Sequence, residues 1–88
     1  MVSWRVVFTP HAQRDARRLA QTHLKERAQA LLTLLAENPY RSPPRFEKLK
    51  GDLDGAYSRR INIKHRLVYQ VLDEEHIVKV LRMWTHYE

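Results

Sequence analysis

The chain has 88 residues, with 16 Lys and Arg against 10 Asp and Glu, a formal net charge of +6 and no cysteine. That length suffices for one small domain spanning residues 1–88 around one modest core, and the missing cysteines exclude disulfides, thiolate nucleophiles and cysteine-ligated zinc. A strongly basic small domain points to an anionic partner, most often nucleic acid, although solvating charge alone would give the same balance.

The N-terminus, Met1-Val2-Ser3-Trp4-Arg5-Val6, lacks the layout of a signal peptide. Residues 2–8 predict a strand, because Trp4, Val6 and Phe8 alternate with Ser3, Arg5 and Val7. Thr9-Pro10 then starts a helix, with Thr9 as cap and Pro10 at the first position, where its missing N–H needs no partner. Ala12, Ala16, Leu19 and Ala20 form a narrow apolar stripe on it, and Arg14, Arg17 and Arg18 fall on the other face. Gln21-Thr22-His23 interrupts the pattern. A second helix is expected from Leu24 to Glu37, burying Leu24, Ala28, Leu31, Leu32 and Leu35, and stopped by Asn38-Pro39. Its apolar run Ala30–Ala36 is far shorter than the ~20 residues a membrane span needs. The chain is therefore expected to be soluble and cytoplasmic, with no membrane partner.

Residues 39–56 read as irregular, since Pro39, Pro43, Pro44, Gly51 and Gly55 all fall there. Three strands are expected after them, at about 57–63, 66–72 and 77–84, the last two joined by a turn at Asp73-Glu74-Glu75-His76. The order strand, two helices, three strands implies an α+β domain, with a two-helix hairpin packed on one face of a mostly antiparallel sheet.

The last third concentrates chemistry. Arginine presents a planar fork of donors that matches phosphate oxygens, and Arg59, Arg60 and Arg66 lie on or beside neighbouring strands. Alternate strand residues share a face, so Arg59 and Arg60 point oppositely and one of them joins Arg66. Ordinary solvated strand positions are the plainer reading. Glu47, in Phe46-Glu47-Lys48-Leu49-Lys50, is surrounded by cations, which favour its ionised form and make it a candidate base; a surface salt bridge explains it as well. His86 and Tyr87 end the last strand. His11, His23, His65 and His76 have no metal-ligand spacing, so no metal or other cofactor is expected, and Trp4 and Phe8 read as core.

Glu47-Lys48-Leu49-Lys50, Gly55-Ala56-Tyr57-Ser58-Arg59-Arg60-Ile61, His65-Arg66-Leu67-Val68-Tyr69 and Thr85-His86-Tyr87 together resemble the YoeB/Txe branch of the RelE/ParE toxin superfamily. The resemblance implies the RelE-like microbial RNase fold and the toxin of a type II toxin–antitoxin system. It further implies a metal-independent mRNA interferase that cuts mRNA in the ribosomal A site and so inhibits translation. By match to the family motif, Glu47 would be the general base, Arg66 the phosphate-stabilising arginine, His86 the general acid and Tyr87 a shaper of the site. Lys50, Arg59 and Arg60 would bind the RNA backbone. The implied partners are the ribosome with its mRNA, a YefM/Axe-like antitoxin whose C-terminal segment covers the basic groove, operator DNA only as the toxin–antitoxin complex, and a second copy in a homodimer. Lys48 stands where better-known members carry a proline after the glutamate.

Two other functions share these features. A ParE-type relative would poison DNA gyrase without an acid–base set, which Glu47 and His86-Tyr87 argue against. A basic ribosome- or nucleic-acid-binding module would bind with steep salt dependence and cut nothing.

Overall fold

A computed structural model of the chain describes residues 3–43, 45–51 and 55–85, with backbone alone at 84 and 85. Helix α1 spans Pro10–Leu19 and helix α2 spans Lys25–Glu37. Thr9 caps α1, its Oγ1 accepting from the Ala12 amide at 3.1 Å, and Pro10 opens the first turn. Ala12 and Leu19 of the expected stripe are buried. So is Asp15, a residue whose type gave no reason to expect it inside. In α2 the buried residues are Ala28, Leu31 and Leu35, and Asn38, extended before Pro39, ends the helix as expected.

The strands are β1 (Arg5–Phe8), β2 (Phe46–Lys48), β3 (Ala56–Arg60), β4 (Arg66–Leu72) and β5 (Ile77–Thr85). They form one sheet in the order β1-β5-β4-β3-β2. β1 runs parallel to β5 and the other neighbours pair antiparallel. The two helices lie between β1 and the later strands in the chain, the kind of long connection a parallel neighbour requires. Leu19, Leu31 and Leu35 pack with Leu67, Tyr69, Val78 and Val80 in one core, against which Trp4, Val6 and Phe8 also rest. The expected α+β layering thus holds, with helices on one face of a mostly antiparallel sheet. Among the described residues no helix is long and apolar enough to cross a membrane.

Three boundaries differ from the sequence reading by more than one residue. The strand expected at 2–8 begins only at Arg5. The segment expected to be irregular contains β2, a three-residue edge strand that only its pairing with β3 creates. The strand expected at 57–63 ends at Arg60 instead. There the Asn62 Oδ1 accepts from the amides of Lys64 and His65, at 2.9 and 2.7 Å, and closes a turn.

The expectation that Arg59 binds RNA phosphate is overturned. Arg59 lies on the helix-covered face and is 1% exposed. Its Nε donates to the Tyr69 hydroxyl at 3.0 Å, and its Nη2 donates to the carbonyls of Pro39 and Arg41 at 3.0 and 2.7 Å. The guanidinium also lies 4.7 Å from the Phe46 ring centroid. Burial pushes the Tyr69 phenol above its ordinary pKa, while the hydrogen bond and charge of Arg59 pull it back. Arg59 is a core residue that happens to be charged. Arg59→Ala should therefore cost about 3–5 kcal/mol of stability, through the cavity and the acceptors left unpaired. Exposed Arg60→Ala should stay within about 0.5 kcal/mol of the unmodified protein. Urea unfolding of the two variants side by side decides this, and equal losses would contradict the assignment.

Candidate active site

Antiparallel pairing builds the site on the sheet face opposite Arg59. Glu47 of β2 pairs with Ser58 of β3, and Arg60 of β3 pairs with Arg66 of β4. Directly opposed residues share a face, and so do residues two apart along a strand. Glu47, Ser58, Arg60 and Arg66 consequently converge, although three different strands contribute them.

Arg66 Nη1 lies 3.5 Å from Glu47 Oε1 and donates to Ser58 Oγ at 3.5 Å. The side chain of Arg66 is only 17% exposed, whereas that of Glu47 is 50% exposed. The cation is thus held at the floor and the carboxylate stands at the rim, where a ligand can reach it. Arg45 completes the lining of a depression of about 340 Å³ with Glu47, Ser58, Arg60 and Arg66. Three guanidinium groups face one carboxylate, so the hollow suits a ligand more anionic than a single charge. Such a set can grip phosphate oxygens through the arginine forks while Glu47 accepts a proton.

Of the residues singled out in the sequence, Glu47, Arg60 and Arg66 come together. Lys50 is exposed just beyond β2 and is not among the residues lining the depression. Arg59 is in the core. His86 and Tyr87 lie outside the described residues. Arg45 and Ser58 line the site without having been singled out. Counting in twos along β3 from Arg60 reaches Ser58, so that residue was within reach of the sequence; Arg45 precedes the three-residue strand that sequence patterning missed.

Arg60 also borders a second, larger hollow of about 540 Å³ between α2 and the turn after β3. Leu31, Leu34, Ile61 and Ile63 make it apolar, and Arg27 stands at its edge. Ile63 is 85% exposed there. Among the described residues no group of His, Asp or Glu side chains gathers as metal ligands do.

A family model described as YoeB-like toxin of bacterial type II toxin-antitoxin system matches residues 8–87. A Toxin YoeB from Streptomyces coelicolor is 37% identical over 76 residues, covering 84% of this chain and 90% of the relative. Among solved structures, the YoeB/ParE toxin from Agrobacterium tumefaciens superposes with a TM-score of 0.85 at 29% identity, covering 94% of this chain and 99% of that one. YoeB from Staphylococcus aureus, solved in a YoeB-YefM complex and as a dimer, is 34% identical with a TM-score of 0.80, covering 96% of this chain and 98% of that one.

Proposed function

The chain belongs to the YoeB-like toxins of bacterial type II toxin–antitoxin systems, and on that premise we propose that it is a ribosome-dependent endoribonuclease that cuts mRNA in the A site. The observation that carries the proposal is the Glu47–Arg66 pair at 3.5 Å in a hollow lined by two further arginines. Glu47 takes the proton of the ribose 2′-hydroxyl. The oxygen attacks the adjacent phosphorus, the O2′–P bond forms and the P–O5′ bond breaks. The products are a 2′,3′-cyclic phosphate and a free 5′-hydroxyl.

Arg66 and Arg60 take the charge that builds on the non-bridging oxygens, where pre-aimed cationic donors contribute most. With that charge supplied by arginines, the reaction runs without a metal ion. His86 protonates the departing O5′, Tyr87 shapes the site beside it, and Lys50 holds the RNA backbone. Dependence on a 2′-hydroxyl restricts the substrate to RNA.

The partner that restrains this activity is an antitoxin of the YefM/Axe kind. Because Arg60 borders both hollows, a segment with apolar and acidic residues can fill the α2 hollow and reach the arginines of the first. A YoeB-YefM complex of the Staphylococcus aureus relative supports such a partner, and the dimer of that relative supports self-association here. The toxin acts in the cytoplasm, on the ribosome, and reaches operator DNA only with its antitoxin.

Primer extension on an mRNA during in vitro translation tests the reading. The unmodified protein should produce cuts at A-site codons only when ribosomes are present. Glu47→Gln and His86→Ala should each slow cutting by about 10²-fold or more. Cutting by Glu47→Gln at the normal rate would overturn the assigned base. Separately, Arg60→Ala should flatten the salt dependence of binding to a short single-stranded RNA, reducing the slope of log K against log salt by about 0.7, one phosphate contact.

A further inference from the structure

Glu47 stands on the shortest strand of the sheet. β2 has three residues and one neighbour, β3, at an edge. A ladder that short does not hold a strand by itself. The helices pack on β1 and β5, on the other side of the sheet. The Leu49 amide donates to the Ala56 carbonyl at 2.9 Å and fastens the far end of β2. The contact with Arg66 joins Glu47 to a group that an entering phosphate also engages, so it does not fix the carboxylate during a reaction. Within β2, Glu47 and Lys48 are exposed and Phe46 is half-buried. The near end of the strand is therefore held through Phe46.

The ring of Phe46 lies between two groups of β3. Phe46 pairs with Arg59, whose guanidinium carbon sits over the ring, 4.7 Å from its centroid, where a cation is attracted to the ring face. Tyr57, two residues before Arg59, meets Phe46 edge-on, with centroids 5.5 Å apart and planes at 79°. Both groups are fixed in turn. Arg59 donates to the Tyr69 hydroxyl and to the carbonyls of Pro39 and Arg41. Tyr57 lies 5.7 Å from Tyr69 and takes Tyr40 edge-on at 6.0 Å. The Tyr40 hydroxyl donates to Asp73 Oδ1 at 2.7 Å. A row of rings beginning in the segment after α2 thus supports the edge strand.

We infer that Phe46 is a positioning residue for the reaction, fixing the edge strand so that Glu47, the next residue, is presented opposite Ser58 and beside Arg66. The inference rests on the proposed nuclease reading. Successive residues of a strand face opposite ways, so a ring locked on one face sets the carboxylate on the other. Phe46 acts through Glu47 and touches no substrate. What matters is the ring face over which Arg59 lies, and not apolar bulk alone. Tyrosine at this position keeps the ring, leucine keeps only the bulk, and alanine keeps neither.

Two measurements on Phe46→Ala and Phe46→Tyr test this. The first is the cross-strand nuclear Overhauser contact between the backbones of Glu47 and Ser58. It should be present in the unmodified protein, kept with tyrosine and lost or weakened with alanine. Its full retention in Phe46→Ala would overturn the inference, whatever the activity. The second is a double-mutant cycle on ribosome-dependent cutting. Phe46→Ala should lower kcat about 10–100-fold, with KM little changed, and Phe46→Tyr should keep most of the rate. In the Glu47→Gln background the further loss from Phe46→Ala should be within about twofold, because the two residues act through one group. Equal losses in both backgrounds would reduce Phe46 to a merely structural residue and overturn the inference. If alanine unfolds the protein, the same two measurements on Phe46→Leu decide, with smaller losses in the same direction. Failure of the unmodified protein to cut would instead overturn the nuclease reading, and the positioning role of Phe46 with it, while the Glu47–Ser58 contact would still judge whether Phe46 fixes β2.

Discussion

The cleft face of the sheet depends on a group buried beneath the opposite face, the guanidinium of Arg59. A charge sealed from water costs several kcal/mol unless its donors are met. Here they reach the Tyr69 hydroxyl and the carbonyls of Pro39 and Arg41, with the Phe46 ring alongside. The segment leaving α2 is therefore tied to β4, and the first residue of β2 is packed into the same knot. A three-residue strand at a sheet edge has too short a ladder to hold itself. Phe46, in edge contact with Tyr57 as well, supplies the anchorage. Glu47 is the next residue, so the pleat presents it on the other face, opposite Ser58.

The contrast in exposure between Glu47 and Arg66 has a functional consequence. In the structure the two key groups stand against each other at 3.5 Å. On the proposed mechanism an entering phosphate competes for the fork of Arg66 and frees Glu47 for the 2′-hydroxyl. The cation stays where it is, backed by Ser58, while the carboxylate is the member that adjusts. This division suits electrostatic catalysis, in which the stabilising charges should not have to reorganise during the reaction.

Much of this arrangement was legible in the sequence wherever a local rule governs it. Thr9-Pro10 started α1, Asn38-Pro39 ended α2, the leucines of α2 identified its inner side, and Asp73–His76 formed the turn before β5. Glu47 and Arg66 were singled out and do meet. What escaped was decided by tertiary pairing. β2 has no pattern of its own, since three residues cannot display a period. The alternation of Arg59 and Arg60 required opposite faces but not which face each would take; the hydroxyl of Tyr69, the carbonyls of Pro39 and Arg41 and the ring of Phe46 settled that. Asp15 was not singled out, because its partners, Arg82 and Met83, are on β5 near the far end of the chain.

The central claim is that the Glu47–Arg66 hollow cuts RNA through the neighbouring 2′-hydroxyl. The most direct test programs ribosomes with an mRNA carrying one 2′-deoxynucleotide on the 5′ side of the scissile phosphate, beside an all-ribose control. The account predicts cutting of the control and none at the substituted bond. Cutting of both at the same rate would contradict it, because no proton would then have been taken from a 2′-hydroxyl.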